Sequence, residues 1–120
     1  MATRRDPTPD EEHAELLRRA RDVQRAAVEG GVDEVHAELC ELRNLLFRHL
    51  RAEQAAAPPA ADVHARITRH GQERLLTFIE RLLAGVADDG SCTCLLRVAE
   101  LRAMLVRQIR LESRVPARPA

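Results

Sequence analysis

The sequence predicts an all-α protein, an up-down-up-down antiparallel four-helix bundle, and three observations carry that prediction. The apolar content is mainly Leu, Ala and Val, with no Trp or Tyr and only two Phe. No stretch alternates with the period of two that a half-buried strand requires. Four segments instead carry apolar residues at alternating spacings of three and four, the pattern of a helix with one buried face. Pro or Gly separates these segments at short intervals, so consecutive helices must be antiparallel neighbours.

Met1 to Pro7 is a polar lead-in. Thr8 can cap helix A, with Pro9 at the first helical position and Glu11 closing a capping box, and the helix is expected over about 8–29. Its stripe is His13, Leu16/Leu17, Ala20, Val23/Gln24 and Ala27, and Gly30-Gly31 ends it. Helix B, capped by Asp33, is expected over about 33–57, where Pro58-Pro59 stops it. Helix C, capped by Asp62, is expected over about 61–84, and Val63, Ile67, Leu75, Phe78 and Leu82 set a stripe that turns His70 inward. Gly85 to Gly90 reads as a loop. Helix D is expected over about 92–114, ending before Val115-Pro116, so residues 1–120 make one domain with no room for a second.

Helices B and D share a repeated segment. Glu41 to Glu53 and Glu100 to Glu112 both read E-L-R-x-Φ-L-Φ-R-[HQ]-Φ-R-x-E, where Φ is apolar. Val35, Leu39, Leu42, Leu46, His49 and Glu53 form one buried stripe, and Cys94, Val98, Leu101, Leu105, Gln108, Glu112 and Val115 form the other. Each stripe thus carries a carboxylate into the core seam. A buried carboxylate costs several kcal/mol unless it is paired or bound to a metal, so the chain must supply partners for Glu53 and Glu112.

Charge and composition exclude several classes. The chain carries 19 basic and 19 acidic residues for a formal net charge of zero. All the basic residues are Arg, interleaved with acids and with only two Phe, and no Trp or Tyr, for bases to stack on, which argues against nucleic acid. No stretch approaches the roughly 18 apolar residues of a membrane span, and no apolar signal core opens the chain, so a cytoplasmic protein with reduced cysteines and no membrane partner is expected. Cys92-x-Cys94 cannot complete a zinc site alone, and Cys40 lies beside the helix B stripe. His36 and His64 fall beside the stripes and are expected at the surface.

Because helices A and C run opposite to B and D, His13, His49, Glu53, His70, Gln108 and Glu112 can meet at one end of the core. Imidazoles with carboxylates suit iron or manganese better than calcium or magnesium, and the lack of a nearby thiolate argues against structural zinc. Two bridging carboxylates with terminal imidazoles can hold two metals in a bundle core. The order of the ligands differs from the ferritin-like pattern, because no Glu-x-x-His occurs.

The order His13, then His49-x-x-x-Glu53, then His70, then Gln108-x-x-x-Glu112 resembles the hemerythrin-like, or HHE cation-binding, family across essentially the whole chain. The flanks Glu53-Gln54 with Pro58, and Glu112-Ser113 with Pro116, are similar too. The resemblance implies a non-haem di-iron centre, with Glu53 and Glu112 bridging and the histidines terminal; one metal, or manganese, is the variant. It implies a redox protein, an oxidase or peroxide-consuming di-iron oxidoreductase, whose partners are dioxygen, peroxide or another small oxidant, acting as monomer or homodimer. Gln108 stands where that family has His, which favours reactivity or sensing over oxygen carriage. The alternatives are an iron- or oxygen-sensing regulatory module and a metal-free helical interaction bundle.

Overall fold

The computed structural model describes residues 8–56, 63–89 and 93–113, which form four α-helices: α1 (Pro9–Glu29), α2 (Val32–Ala56), α3 (Val63–Asp89) and α4 (Thr93–Ser113). The lead-in, Pro58-Pro59, the Asp62 cap, Cys92 and Val115-Pro116 lie outside the described residues.

The start of α1 follows from its first four residues. Thr8 Oγ1 accepts from the Glu11 backbone N–H at 3.1 Å, and the Glu11 carboxylate accepts from the Thr8 N–H at 2.9 Å. This capping box satisfies two backbone donors that a helix start leaves unpaired and contributes about 1 kcal/mol. At the other end the Gly30 N–H donates to the Ala26 carbonyl at 2.8 Å. α2 begins at Val32, one residue before the expected Asp33 cap, so Asp33 and Glu34 sit in its first turn. There their charge opposes the positive end of the helix dipole.

α1 packs on α2 and α4, and α3 packs on the same two helices, while the diagonal pairs make no backbone approach among the described residues. The result is a four-cornered bundle around one apolar core. The α2 stripe is buried as its spacing requires, from Val35 through Leu39, Leu42 and Leu46 to His49. The α4 stripe is its counterpart, with Val98, Leu101, Leu105 and Gln108 buried. Leu16, Ala20 and Val23 complete the wall from α1. Each fully buried Leu stabilises the fold by roughly 1.5–3 kcal/mol relative to an exposed one.

α3 departs from expectation in two ways. Its inward row is Gln72, Leu75, Ile79 and Leu82, with Thr68 half-buried a turn before it, whereas Val63 is 66% and Ile67 53% exposed. The helix is therefore rotated relative to the stripe drawn through Val63 and Ile67, and His70 is exposed instead of inward. The cause is that the first turns of α3 put apolar residues outside and polar ones at the core edge, inverting the usual signal. The second departure is that α3 continues through the expected loop at Gly85 as far as Asp89. Gly85 is exposed with nothing near its missing Cβ, so it costs helix propensity without breaking the hydrogen-bond ladder.

Candidate metal centre

One end of the core is polar. His13 from the second turn of α1, His49 and Glu53 from the last turns of α2, and Glu112 near the end of α4 converge there. One ligand atom from each of the four lies within 4.8 Å of all the others. Gln108 from α4 and Gln72 from α3 enclose the same group, and both are buried. Five of the six residues expected from the sequence are thus brought together, and His70 is not.

Glu112 is the hub. Its Oε1 accepts from His13 Nε2 at 3.1 Å and from His49 Nε2 at 3.2 Å, while its Oε2 accepts from Gln72 Nε2 at 3.1 Å and Gln108 Nε2 at 2.9 Å. Glu53 is less enclosed: Oε1 lies 3.5 Å from His49 Nε2, and Oε2 accepts from Gln72. The His13 and His49 rings meet edge to face, with centroids 5.2 Å apart. Gln108 also donates to the Thr68 carbonyl at 3.1 Å, so both hydrogens of its amide are used and its nitrogen, not its oxygen, faces Glu112. Gln108 accordingly acts as a donor that holds the carboxylate in place.

Two members escaped the sequence reading. Glu12 Oε1 lies 3.2 Å from His49 Nδ1, on the ring edge opposite Glu112. Gln72 occupies the inward position on α3 that had been expected of His70. Gln72 was findable, because it falls three before Leu75 and seven before Ile79, in the spacing of a core row. Glu12 left no such signal, since its contact depends on how two helices rotate against each other. Among the other histidines, His36 is exposed as expected, whereas His64 is half-buried. Cys40 packs at the edge of the core with its Sγ 3.8 Å from His36 Nδ1.

The electrostatics match this wiring. Burial pulls the His49 pKa down, but the hydrogen bond it donates to Glu112 and the charges of Glu53 and Glu112 outweigh it, with Glu12 adding to them, and raise it to about 9. Burial pushes Glu112 up, and the donors His49, Gln108 and Gln72 overcome it, lowering the carboxyl to about 2. Glu53 moves the other way: burial and the neighbouring Glu112 charge raise it against the pull of His49. Three carboxylates around two imidazoles make a cluster short of positive charge.

That donor set fits a divalent cation. Two imidazole nitrogens and two carboxylate oxygens, already converged and flanked by an orienting carboxylate on His49, are the ligand types of a borderline transition metal. The remaining inward groups, Gln72 and Gln108, present amide N–H to the carboxylates in this arrangement. Among the described residues no helix is long and apolar enough to cross a membrane. Fold and site together define a four-helix bundle with a mixed imidazole and carboxylate cluster at one end. No protein-family model, curated protein or solved structure matches the chain.

Proposed function

We propose that the cluster binds a redox-active metal, iron or manganese, through His13, His49, Glu53 and Glu112, and that the protein uses it to bind or activate dioxygen or peroxide. The observation that carries this reading is the convergence of four ligand atoms within 4.8 Å at the buried end of a helical bundle. The resemblance to hemerythrin-like proteins supports iron and an up-down-up-down topology. The opposed order of the pairs His13 with Glu112 and Gln24 with Arg102 also supports that topology. A di-iron centre bridged by Glu53 and Glu112 is what the resemblance implies. The donors favour a single ion, since His70 is exposed and Gln108 offers an N–H.

A bound iron or manganese would supply the electrons and the coordination position that reaction with an oxidant needs. The chain does the rest. Glu12 accepts the Nδ1 proton of His49 and so selects the tautomer whose Nε2 lone pair faces inward. Gln72 and Gln108 hold the Glu112 carboxylate from the side away from the imidazoles. Leu42, Leu46, Leu101 and Leu105 form an apolar floor that keeps water from the inner side of the cluster. Loading must displace the proton that His49 carries at neutral pH, so metal uptake releases acid.

Two readings compete. A metal-free interaction bundle is favoured by one observation, that the Glu112 oxygens accept four hydrogen bonds from the protein itself and so the network closes without an ion. An iron- or oxygen-sensing module would use the same site with changes in occupancy as its output. The test is anaerobic incubation with Fe(II), removal of loose metal, and metal analysis per chain, followed by exposure to dioxygen or peroxide. The proposal expects about one iron per chain and an absorbance change on oxidation, both lost in Glu112→Ala. Iron that binds and survives peroxide unreacted supports sensing, and no retained iron or manganese supports the metal-free bundle.

A further inference from the structure

A cavity of about 400 Å³ opens between α3 and α4, on the outer side of Gln108. Its volume lies in the range of small-molecule sites. Three of its lining residues are Arg74, Arg107 and Arg110, and none is a carboxylate. None of these guanidinium groups forms an ion pair among the described residues, whereas Arg18 and Arg19 elsewhere on the surface pair with Glu15. Three like charges around one cavity repel one another, and in a chain of net charge zero that local excess is a matter of placement. Met104 and Leu111, both half-buried, contribute an apolar side to the same cavity.

From this combination we infer that the α3–α4 cavity binds a small organic anion, a carboxylate or a phosphate ester. The charged group lies among Arg74, Arg107 and Arg110, and the apolar body lies against Met104 and Leu111. A guanidinium matches either head group through paired N–H donors, and clustered guanidinium groups are held together by an anion that neutralises them. Gln108 is the wall between this cavity and the metal-ligand cluster: it lines the one and donates to Glu112 in the other. The bound anion therefore sits one side chain away from Glu112. The inference does not rest on metal binding, since every group it uses belongs to the metal-free chain.

The neighbouring groove between α1 and α4 supplies the control. It shares Arg107 and Arg110 but has Arg102 in place of Arg74, and Arg102 is already engaged by the Gln24 side-chain oxygen at 3.0 Å. Titrations of chelator-treated full-length protein with octanoate, phenyl phosphate, inorganic phosphate and benzylamine, by calorimetry and amide NMR at low salt, decide the matter. The expected result is one saturable site for octanoate or phenyl phosphate with Kd below about 1 mM, amide shifts centred on Gly71, Arg74 and Met104, and weakening at high salt. Octanoate binding alone assigns a carboxylate, and phenyl phosphate binding alone a phosphate ester. Arg74→Gln should weaken binding roughly tenfold, while Arg102→Gln leaves it unchanged. Both are exposed positions, and a wild-type amide spectrum confirms that each variant is folded. The inference is overturned if neither organic anion saturates, if benzylamine binds equally well, if inorganic phosphate matches phenyl phosphate, or if Arg102→Gln weakens binding as much as Arg74→Gln.

Discussion

The Glu12 carboxylate lies 3.2 Å from His49 Nδ1, joining the first turn of α1 to the last turns of α2 across 37 residues of chain. On the opposite edge of the ring, Nε2 faces Glu112. A ring held by carboxylates at both edges has one orientation, and a metal at Nε2 would leave its single proton on Nδ1, facing Glu12. If His49 is a ligand, removing the Glu12 charge should leave the ligands in place but weaken their hold. Glu12→Gln should lower iron affinity about 10- to 100-fold in competition with a chelator. An unchanged affinity would mean that Glu12 only decorates the surface.

Metal should stabilise the fold, because a cation that binds only the folded chain adds its binding free energy to folding. Iron or manganese at 100 times Kd should add about 2.7 kcal/mol, or several degrees in Tm for a domain of this size. Glu53→Ala should abolish that increment. A Tm that does not respond to metal in the wild-type chain would favour the metal-free bundle.

The metal-free protein should lose stability as pH rises. His49 titrates near 9 in the folded chain against 6.5 ordinarily, so its stabilisation is complete below about 6.5 and lost as pH passes 9. Glu112 titrates near 2 against 4.5, so its stabilisation is complete above about 4.5 and lost as pH falls through 2. Glu53, raised above 4.5, opposes folding once it ionises. Stability should therefore be greatest between about pH 4.5 and 6.5. One ion pair underlies both large shifts, so the two do not add, and the loss by pH 9.5 is on the order of 2 kcal/mol. Thermal melts in chelator at pH 5.5 and 9.5 check this, and a Tm that rises towards pH 9.5 would refute it.

Gly71 has a packing role. A Cβ there would collide with Gln108 Oε1, so only glycine lets Gln108 approach α3 closely enough to reach the Thr68 carbonyl. Helix propensity alone predicts that Gly71→Ala stabilises by about 1 kcal/mol. Displacing Gln108 from Thr68 and Glu112 should instead lower the Tm, because a buried carboxylate then loses a donor. A higher Tm in the variant would show that Gln108 can give way freely.

Gln72→Ala and His70→Ala, two positions apart, should behave oppositely. Gln72 is 3% exposed and donates to both Glu53 and Glu112, so its loss should cost roughly 1–3 kcal/mol. His70 is exposed, and its loss should change stability by no more than about 0.5 kcal/mol. Equivalent losses in denaturant melts would mean that α3 is rotated towards the orientation in which His70 faces inward.

These last two positions mark where the sequence was legible and where it was not. On α2 and α4 the rows of Leu and Val run unbroken into His49 and Gln108, and a row that strong assigns the inward side of every residue in it. The start of α3 has no such row, because His64 and Thr68 lie at the core edge while Val63 and Ile67 face out, and a reading that counts apolar residues chooses the wrong side. The capping box at Thr8 was legible because it is made within four residues. The Glu12 contact with His49 was not, since it is set by the packing of one helix on another and by nothing local to either.

The donors also divide unevenly between the two halves of the chain. Both imidazoles of the cluster come from α1 and α2, both carboxamides come from α3 and α4, and each half contributes one of the two central carboxylates. The repeated segment makes α2 and α4 look like duplicates, yet they are not interchangeable parts. A bundle assembled from two copies of the first half would gather four imidazoles around its carboxylates, whereas two copies of the second half would gather none from these positions. The halves are complements, so the cluster exists only when the two different halves are joined.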